Sequence, residues 1–326
     1  MQDIIMSNAI IKIREKNLLS SEKIKRMFDA EDFNGAVRIL YESGYADGKT
    51  FPPNEYAKLA DAEVSLALNT FHSLCADKTV HALFFTRFLY HNAKALYKGK
   101  WVKLSKTDAL YVSDGLPNIA DAIENSCYAS LPAELGRALS ALDIQFADAP
   151  PIPSQIDFAI DKAMYQNIAR LLKKVGNTDV KKYYTAEMAL TNIGTAFRAK
   201  LLKLSQNALS ALLIPNVNTP LCLEILLKDL DSLARLSPRE EYGELISLCA
   251  ESLKQGAGVS SFEKHKDRLL LQLARKNNDD YFKINPLFSY AQSKLAETQA
   301  VKTILSGKYN HLNKDVVSAR LRDIYA

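Results

Sequence analysis

"PSQIDFAIDKAMYQNIARLLKKVGNTDVKKYYTAEMALTNIGTAFRAKLL" runs from residue 153 to 202, and its apolar spacing decides the fold class. Ile156, Ile160, Ala163, Met164, Ile168, Leu171, Leu172 and Val175 recur at intervals of three and four, the mark of one buried helix face. Ser154 is the expected N-cap, with Asp157 at the third helical position. Gly176 is the expected stop. Thr178 is expected to cap a second helix that continues to about Leu204. The stretch thus predicts a hairpin of two long helical arms.

The same phrase recurs in both directions. Moved back by 100 residues, Val180 falls on Val80, Asn177 on Asp77, Leu171 on Phe71, Asn192 on Asn92 and Asp161 on Asp61. "LGRALSAL" at 135–142 resembles "FNGAVRIL" at 33–40. A third copy needs a lag of 106 to 108: Asp267-Arg268 answers Asp161-Lys162, and the Asn-Pro at 285–286 opens the second arm. Chance alignment of amphipathic helices explains shared apolar positions but not shared Asp, Asn and Lys columns. The expectation is therefore three helical repeats, over residues 1–110 with an N-terminal helix, 111–210, and 211–326 with a C-terminal helix.

Two sets of residues stand out within the repeats. "YHNAKALYKGKW" (90–101), "LTNIGTAFRAKL" (190–201) and "TQAVKTILSGKY" (298–309) align Lys100, Lys200 and Lys308, each after a small residue, Gly99, Ala199 or Gly307. These lysines are candidate partner contacts. Alternatively each ends a helix, where the helix dipole favours a cation by about 0.3–1 kcal/mol. Counting back from a turn near 177, Asp161 is expected opposite Asn192, and Asp61 opposite Asn92. Each carboxylate is expected to accept an amide hydrogen bond that pins the register of the arms.

Composition narrows the function classes. The 42 basic and 37 acidic residues leave a net charge of +5, with both signs interspersed, which argues only weakly for nucleic acid. No run approaches the ~18 apolar residues of a membrane-spanning helix, so a cytosolic chain with borrowed membrane association is expected. Cys75, Cys127, Cys222 and Cys249 lie far apart and are expected to be reduced, buried small hydrophobes.

Catalytic signals are missing. "GYADGKT" (44–50) has only three residues between its glycines, follows a helix and carries Asp47 where phosphate would sit, so it reads as a polar turn and not a nucleotide loop. His72, His81, His91, His265 and His311 form no HExxH motif and no Cys/His cluster. No cofactor, metal or catalytic residue is expected.

Taken in order, several phrases resemble the C-subunit family of prokaryotic V-type (A/V-type) ATPases and ATP synthases, represented in the eukaryotic vacuolar enzyme by its d subunit. They are the quoted hairpin with Thr191, Asn192 and Arg198, the opening "NAIIKIREKNLLSSEKIKRMFDAEDFNGAVRILYESGY", "YHNAKALYKGK", and the closing "ETQAVKTILSGKYNHLNKDVVSARL". The resemblance spans essentially the whole chain. Gly194 and Ala300 depart from it, standing where a bulkier or more polar residue is expected.

The resemblance implies an all-α funnel of three helical-hairpin domains around a pseudo-threefold axis. It further implies a non-catalytic socket that joins the central shaft subunits of a rotary ATPase to its membrane proteolipid ring, on the cytoplasmic face and without nucleic acid. A free-standing helical-repeat scaffold that binds a protein partner is the alternative.

Overall fold

The computed structural model describes residues 2–102, 110–148, 150–256 and 258–321. Among these the regular structure is sixteen α-helices and short 3₁₀ turns, with no strand. The all-α expectation holds.

The helices follow a recurring order, short elements and then two long arms. After α1 (Gln2–Glu15) come α2 (Ser21–Asp29), α3 (Phe33–Glu42), α4 (Tyr56–Leu74) and α5 (Lys78–Val102). The order returns in α6 (Ala120–Glu124), α7 (Ala133–Gln145), α8 (Pro153–Leu172) and α9 (Thr178–Leu201). It returns again after α10 (Gln206–Leu212), with α11 (Thr219–Leu227), α12 (Leu230–Ala234), α13 (Gly243–Lys254), α14 (Ser260–Arg275) and α15 (Asn285–Tyr309). Helix α16 (Lys314–Arg320) closes the described chain.

The capping chemistry explains where the arms begin, and it corrects two expectations. Helix α8 opens with Pro153 at its first position, after Ile152 as N-cap, so Ser154 lies inside the helix. Proline is suited to that position because it has no N–H to leave unpaired. Asn177, not Thr178, caps α9: its Oδ1 accepts from the N–H groups of Asp179 and Val180 at 3.0 and 2.9 Å. Asp77, 100 residues earlier, does the same for Thr79 and Val80 at 2.8 and 3.0 Å.

The chain forms two compact units. One is residues 64–181; the other joins residues 1–63 to 182–326. In the continuous unit, α5 packs against α8, and α8 against α7, around Tyr90, Tyr97, Leu135, Leu139, Ile156 and Ile160. In the discontinuous unit α15 is the central element, buried without interruption from Ile284 to Lys294. Helices α1, α2, α3 and α14 lie against it. Leu19, Met27, Leu40 and Leu59 from the start of the chain share one core with Val301, Ile304 and Leu305 from its end. Burying each such side chain stabilises the fold by about 1.5–3 kcal/mol.

Candidate functional site

The polar residues of the repeats make three kinds of contact, each written more than once. The first involves the asparagines of the expected Asp–Asn pairs. Asn192, fully buried, turns its amide onto backbone: Nδ2 donates to the carbonyls of Ile214 and Val217 at 3.0 and 2.8 Å, while Oδ1 accepts from the Ile214 N–H at 2.8 Å. Asn92 grips Tyr111 in the same way, donating to its carbonyl and accepting from its N–H, both at 2.9 Å. Each asparagine pins the segment that leaves its own long arm.

The carboxylates Asp161 and Asp61 pair with lysines. Asp161 accepts from Lys94 at 2.7 Å, and Asp61 from Lys302 at 2.5 Å. One turn away, Asp157 pairs with Lys98 and Glu263 with Arg198, each at 2.5 Å. The register matches the repeats: Asp61 and Asp161 are 100 apart, Lys94 and Lys302 are 208 apart, and Asp157 and Glu263 are 106 apart. In each pair a carboxylate on α4, α8 or α14 meets a cation on α15, α5 or α9. Gly194 fills the column of Lys94 and Lys302. A Cβ there would stand 2.9 Å from the Phe262 ring edge, so glycine is needed for the close approach of α9 and α14. The lost ion pair at that level gives way to packing of Phe197 against Phe262, with ring centroids 5.9 Å apart.

The lysine column makes the third contact. Lys200 Nζ donates to the carbonyls of Leu226 and Lys228 at the end of α11. Lys308 Nζ donates to the carbonyl of Ala30, the C-cap of α2, at 2.5 Å. Lys100 Nζ donates to Ser126 Oγ just past α6 at 2.7 Å and lies 3.6 Å from Asp143. Lys200 and Lys308 therefore each end a long helix and clamp the C-terminus of a short one, α11 or α2, whereas Lys100 reaches a hydroxyl and a carboxylate. The two carbonyl clamps supply a cation where unpaired carbonyls collect. Burial holds Lys200 below its ordinary range; burial and then the charge of Lys314 do the same for Lys308. The small residue before the lysine has its own use at Gly307, where a Cβ would run into Val317 and dislodge α16.

One constellation was not anticipated from the sequence. Lys294 on α15 is buried between Glu63 and Glu297, 2.6 Å from each, beneath the Tyr45 ring. Glu63 also accepts from the Ala46 N–H at 2.5 Å, and Glu297 from the Leu19 N–H at 2.6 Å. The turn "GYADGKT" is thereby tied to a buried carboxylate through its own backbone. Burial works to lower the Lys294 pKa, but Glu297 and Glu63 outweigh it and hold the amine above its ordinary value. Burial pushes Glu297 upward. The hint in the sequence was Lys294 itself, a lone cation within the buried run from Asn285.

The other titratable groups are dispersed. Among the described residues no three His, Cys, Asp or Glu side chains gather as a metal site, and no helix is long and apolar enough to cross a membrane. Cys222 and Cys249 are buried as expected, whereas Cys75 is half-buried and Cys127 exposed. Cys127 sits in the short connection after α6, where no helix face covers it. His91 stacks edge-on against Tyr111 at 4.8 Å, a packing role. His72 and His81 share a hydrogen bond of 2.9 Å at the turn between α4 and α5.

A family model described as ATP synthase (C/AC39) subunit matches residues 7–320. The chain is also similar to the C subunit of the V-type sodium ATPase of Enterococcus hirae, with 23% identity over 98% of both chains.

Proposed function

The chain belongs to the ATP synthase (C/AC39) subunit family, and from that membership we propose that it is a non-catalytic central-stalk subunit of a rotary V-type ATPase. In this reading it is a socket that joins the rotating shaft to the membrane proteolipid ring during ion transport. It sits peripherally on the cytoplasmic face and reaches the membrane through the ring.

The observation that carries the proposal is the contact repeated from copy to copy. Lys94–Asp161 and Lys302–Asp61 are equivalent pairs, and so are Lys98–Asp157 and Arg198–Glu263. A linear stack of repeats leaves its first and last copies unpaired. Here the last copy meets the first, which supports three repeats, 1–110, 111–210 and 211–326, arranged about an axis. Such an arrangement suits a part that must transmit torque without bending, and so does the buried Lys294 triad that ties α15 to Glu63 of α4. The polar side chains that recur are occupied in holding helices together, which supports a mechanical role and not a chemical one.

The test is reconstitution. The chain is mixed with the two shaft subunits and the detergent-solubilised ring from the same source, and co-migration is followed on a sizing column. The expected result is a complex of shaft and ring that forms only when this chain is present. Binding to neither component at low and moderate salt would overturn the proposal in favour of a free-standing scaffold. Contact of Lys100, Lys200 and Lys308 with a neighbouring subunit remains part of the proposal, and reversal of all three to Glu in the same assay tests it.

A further inference from the structure

Two imidazoles meet at the turn between α4 and α5. His72 Nδ1, in the last turn of α4, lies 2.9 Å from His81 Nε2, in the first turn of α5. One aromatic ring holds both. His81 lies over Phe85 with centroids 4.4 Å apart, and His72 meets the same ring edge-on at 6.3 Å. Phe85 is itself buried and closes on the backbone of Gly115, where a Cβ would stand 2.4 Å from its Cζ. The N–H of Asp114 donates to Asn69 Oδ1 at 3.0 Å, about one turn before His72 on α4. The histidine pair, Phe85 and the connection 110–118 thus form one layer.

Protonation decides what this layer can do. A 2.9 Å contact between two ring nitrogens is a hydrogen bond while one carries a proton and the other a lone pair. The neutral pair meets that condition, and so does the pair with one added proton. Two added protons set N–H against N–H and cation against cation, and the bond is lost. The helix ends sharpen the asymmetry, because the C-terminus of α4 favours a cation on His72 while the N-terminus of α5 disfavours one on His81. Burial first, and then the charge of His72, hold His81 below its ordinary value.

The other charges around the turn do not relieve the second proton. Asp77 spends Oδ1 on the N–H groups of Thr79 and Val80 and stands beside Lys78. Burial and then the Asp77 charge push the Cys75 thiol up to about 12, so it stays neutral. Helix α8 runs antiparallel to α5, as Lys94–Asp161 and Lys98–Asp157 require, so its C-terminal end brings Lys173 and Lys174 toward the start of α5. The carboxylates of this region, Asp77 and Asp114, are therefore matched by lysines.

We propose that the His72–His81 pair is an acid-sensitive latch: it holds one proton in common, and a second, taken up in mildly acidic surroundings, parts the ends of α4 and α5 and frees the connection 110–118 from Phe85. The latch lies within residues 64–181 and goes beyond the functional reading above, on which it does not rest. A folded value of His81 below the unfolded one means stability that is present above about pH 6.5 and is lost as pH falls through the folded value.

The experiment is hydrogen exchange of the full chain at pH 7.5 and pH 5.0, read by mass spectrometry and corrected for the pH dependence of intrinsic exchange. Protection of peptides covering 69–85 and 110–118 is expected to fall about tenfold more than that of α13 and α15, the equivalent of one pK unit. His72→Gln and His81→Gln each leave one imidazole and no second positive charge, and the excess fall is expected to shrink below about threefold. No excess fall at the turn, an equal fall in all helices, or an undiminished excess in either Gln variant overturns the proposal. Titration of the unsubstituted chain with ¹³C-labelled histidine, followed by NMR, reads the pair without substitution. Two separate steps shared by the His72 and His81 resonances are expected, and one independent step for each overturns the latch.

Discussion

Lys302 on α15 donates to the carboxylate of Asp61 on α4 at 2.5 Å, across 241 residues of chain. Lys94 and Asp161 form the same pair within the other unit. Both pairs are partly exposed, the lysines at 32% and 24% and the aspartates at 44% and 41%. Energetically such pairs are modest, about 0.2–1 kcal/mol each. A double-mutant cycle with Lys302→Ala and Asp61→Ala is expected to return a coupling in that range by urea unfolding, falling as salt is added. A coupling above about 2 kcal/mol would show that the pair is buried more deeply than its exposure indicates.

The buried triad is expected to behave differently. Lys294→Met leaves Glu63 and Glu297 facing each other in the core, and the expected loss is about 3–5 kcal/mol. The triple variant Lys294→Met/Glu63→Gln/Glu297→Gln is expected to recover much of it in urea unfolding, because no unpaired charge remains. The folded pKa of Lys294 is raised above its unfolded value. Its contribution is therefore fully present below about pH 10.5 and is lost as pH rises through the folded value. The Met variant is expected to lose this part of the alkaline decline in stability.

Asn192→Asp separates the backbone clamp from simple packing. The substitution keeps the size of the side chain but replaces two N–H donors by a carboxylate oxygen facing the Ile214 and Val217 carbonyls. A cost of about 2–4 kcal/mol is expected, and it should exceed that of Asn92→Asp, where one carbonyl, Tyr111, is addressed. Chemical unfolding of both variants at pH 7 measures the difference.

Asp143 sets an acid limit on the continuous unit. Burial opposes its charge, but hydrogen bonds from Tyr128, Ser126 and Tyr97, with the Lys100 cation, hold its pKa below the usual carboxylate value. A depressed folded pKa means stability that is present above about pH 4 and is lost as pH falls through the folded value. Asp143→Asn is expected to be less stable at pH 6 and to lose less on acidification from pH 5 to pH 2. Parallel thermal melts of the two proteins, converging as pH falls, check the sign.

The hairpins were legible in the sequence because burial of one helix face writes a period that survives even where residue identity drifts. The spacing of Asp61 and Asp161 was legible too, and in the structure each meets a lysine. What Asp161 touches was not. A count back from the turn at 177 finds only neighbours on the same hairpin, whereas the cation that meets Asp161 is Lys94 on α5. The clue was the column of Lys94 and Lys302, in which Gly194 stands at the intermediate position. Likewise Glu63 and Lys294 are brought together by the fold alone, and no periodicity links residues so far apart. The capping errors are smaller: Asn177 and Thr178 are both good caps, and only the backbone decides between them.

The sharing of one core by both ends of the chain has a consequence for biosynthesis. Residues 64–181 form a unit whose contacts are all available soon after they leave the ribosome. Asp61 must wait for Lys302, and Leu19 for Glu297, some 241 and 278 residues later. At about 5–20 residues per second that delay is tens of seconds. During that time α1, α2 and α3 carry apolar faces with nothing to cover them. The nascent chain is thus expected to engage holding chaperones through its first sixty-odd residues, and messages truncated before α15 to yield a folded middle with an unprotected N-terminus.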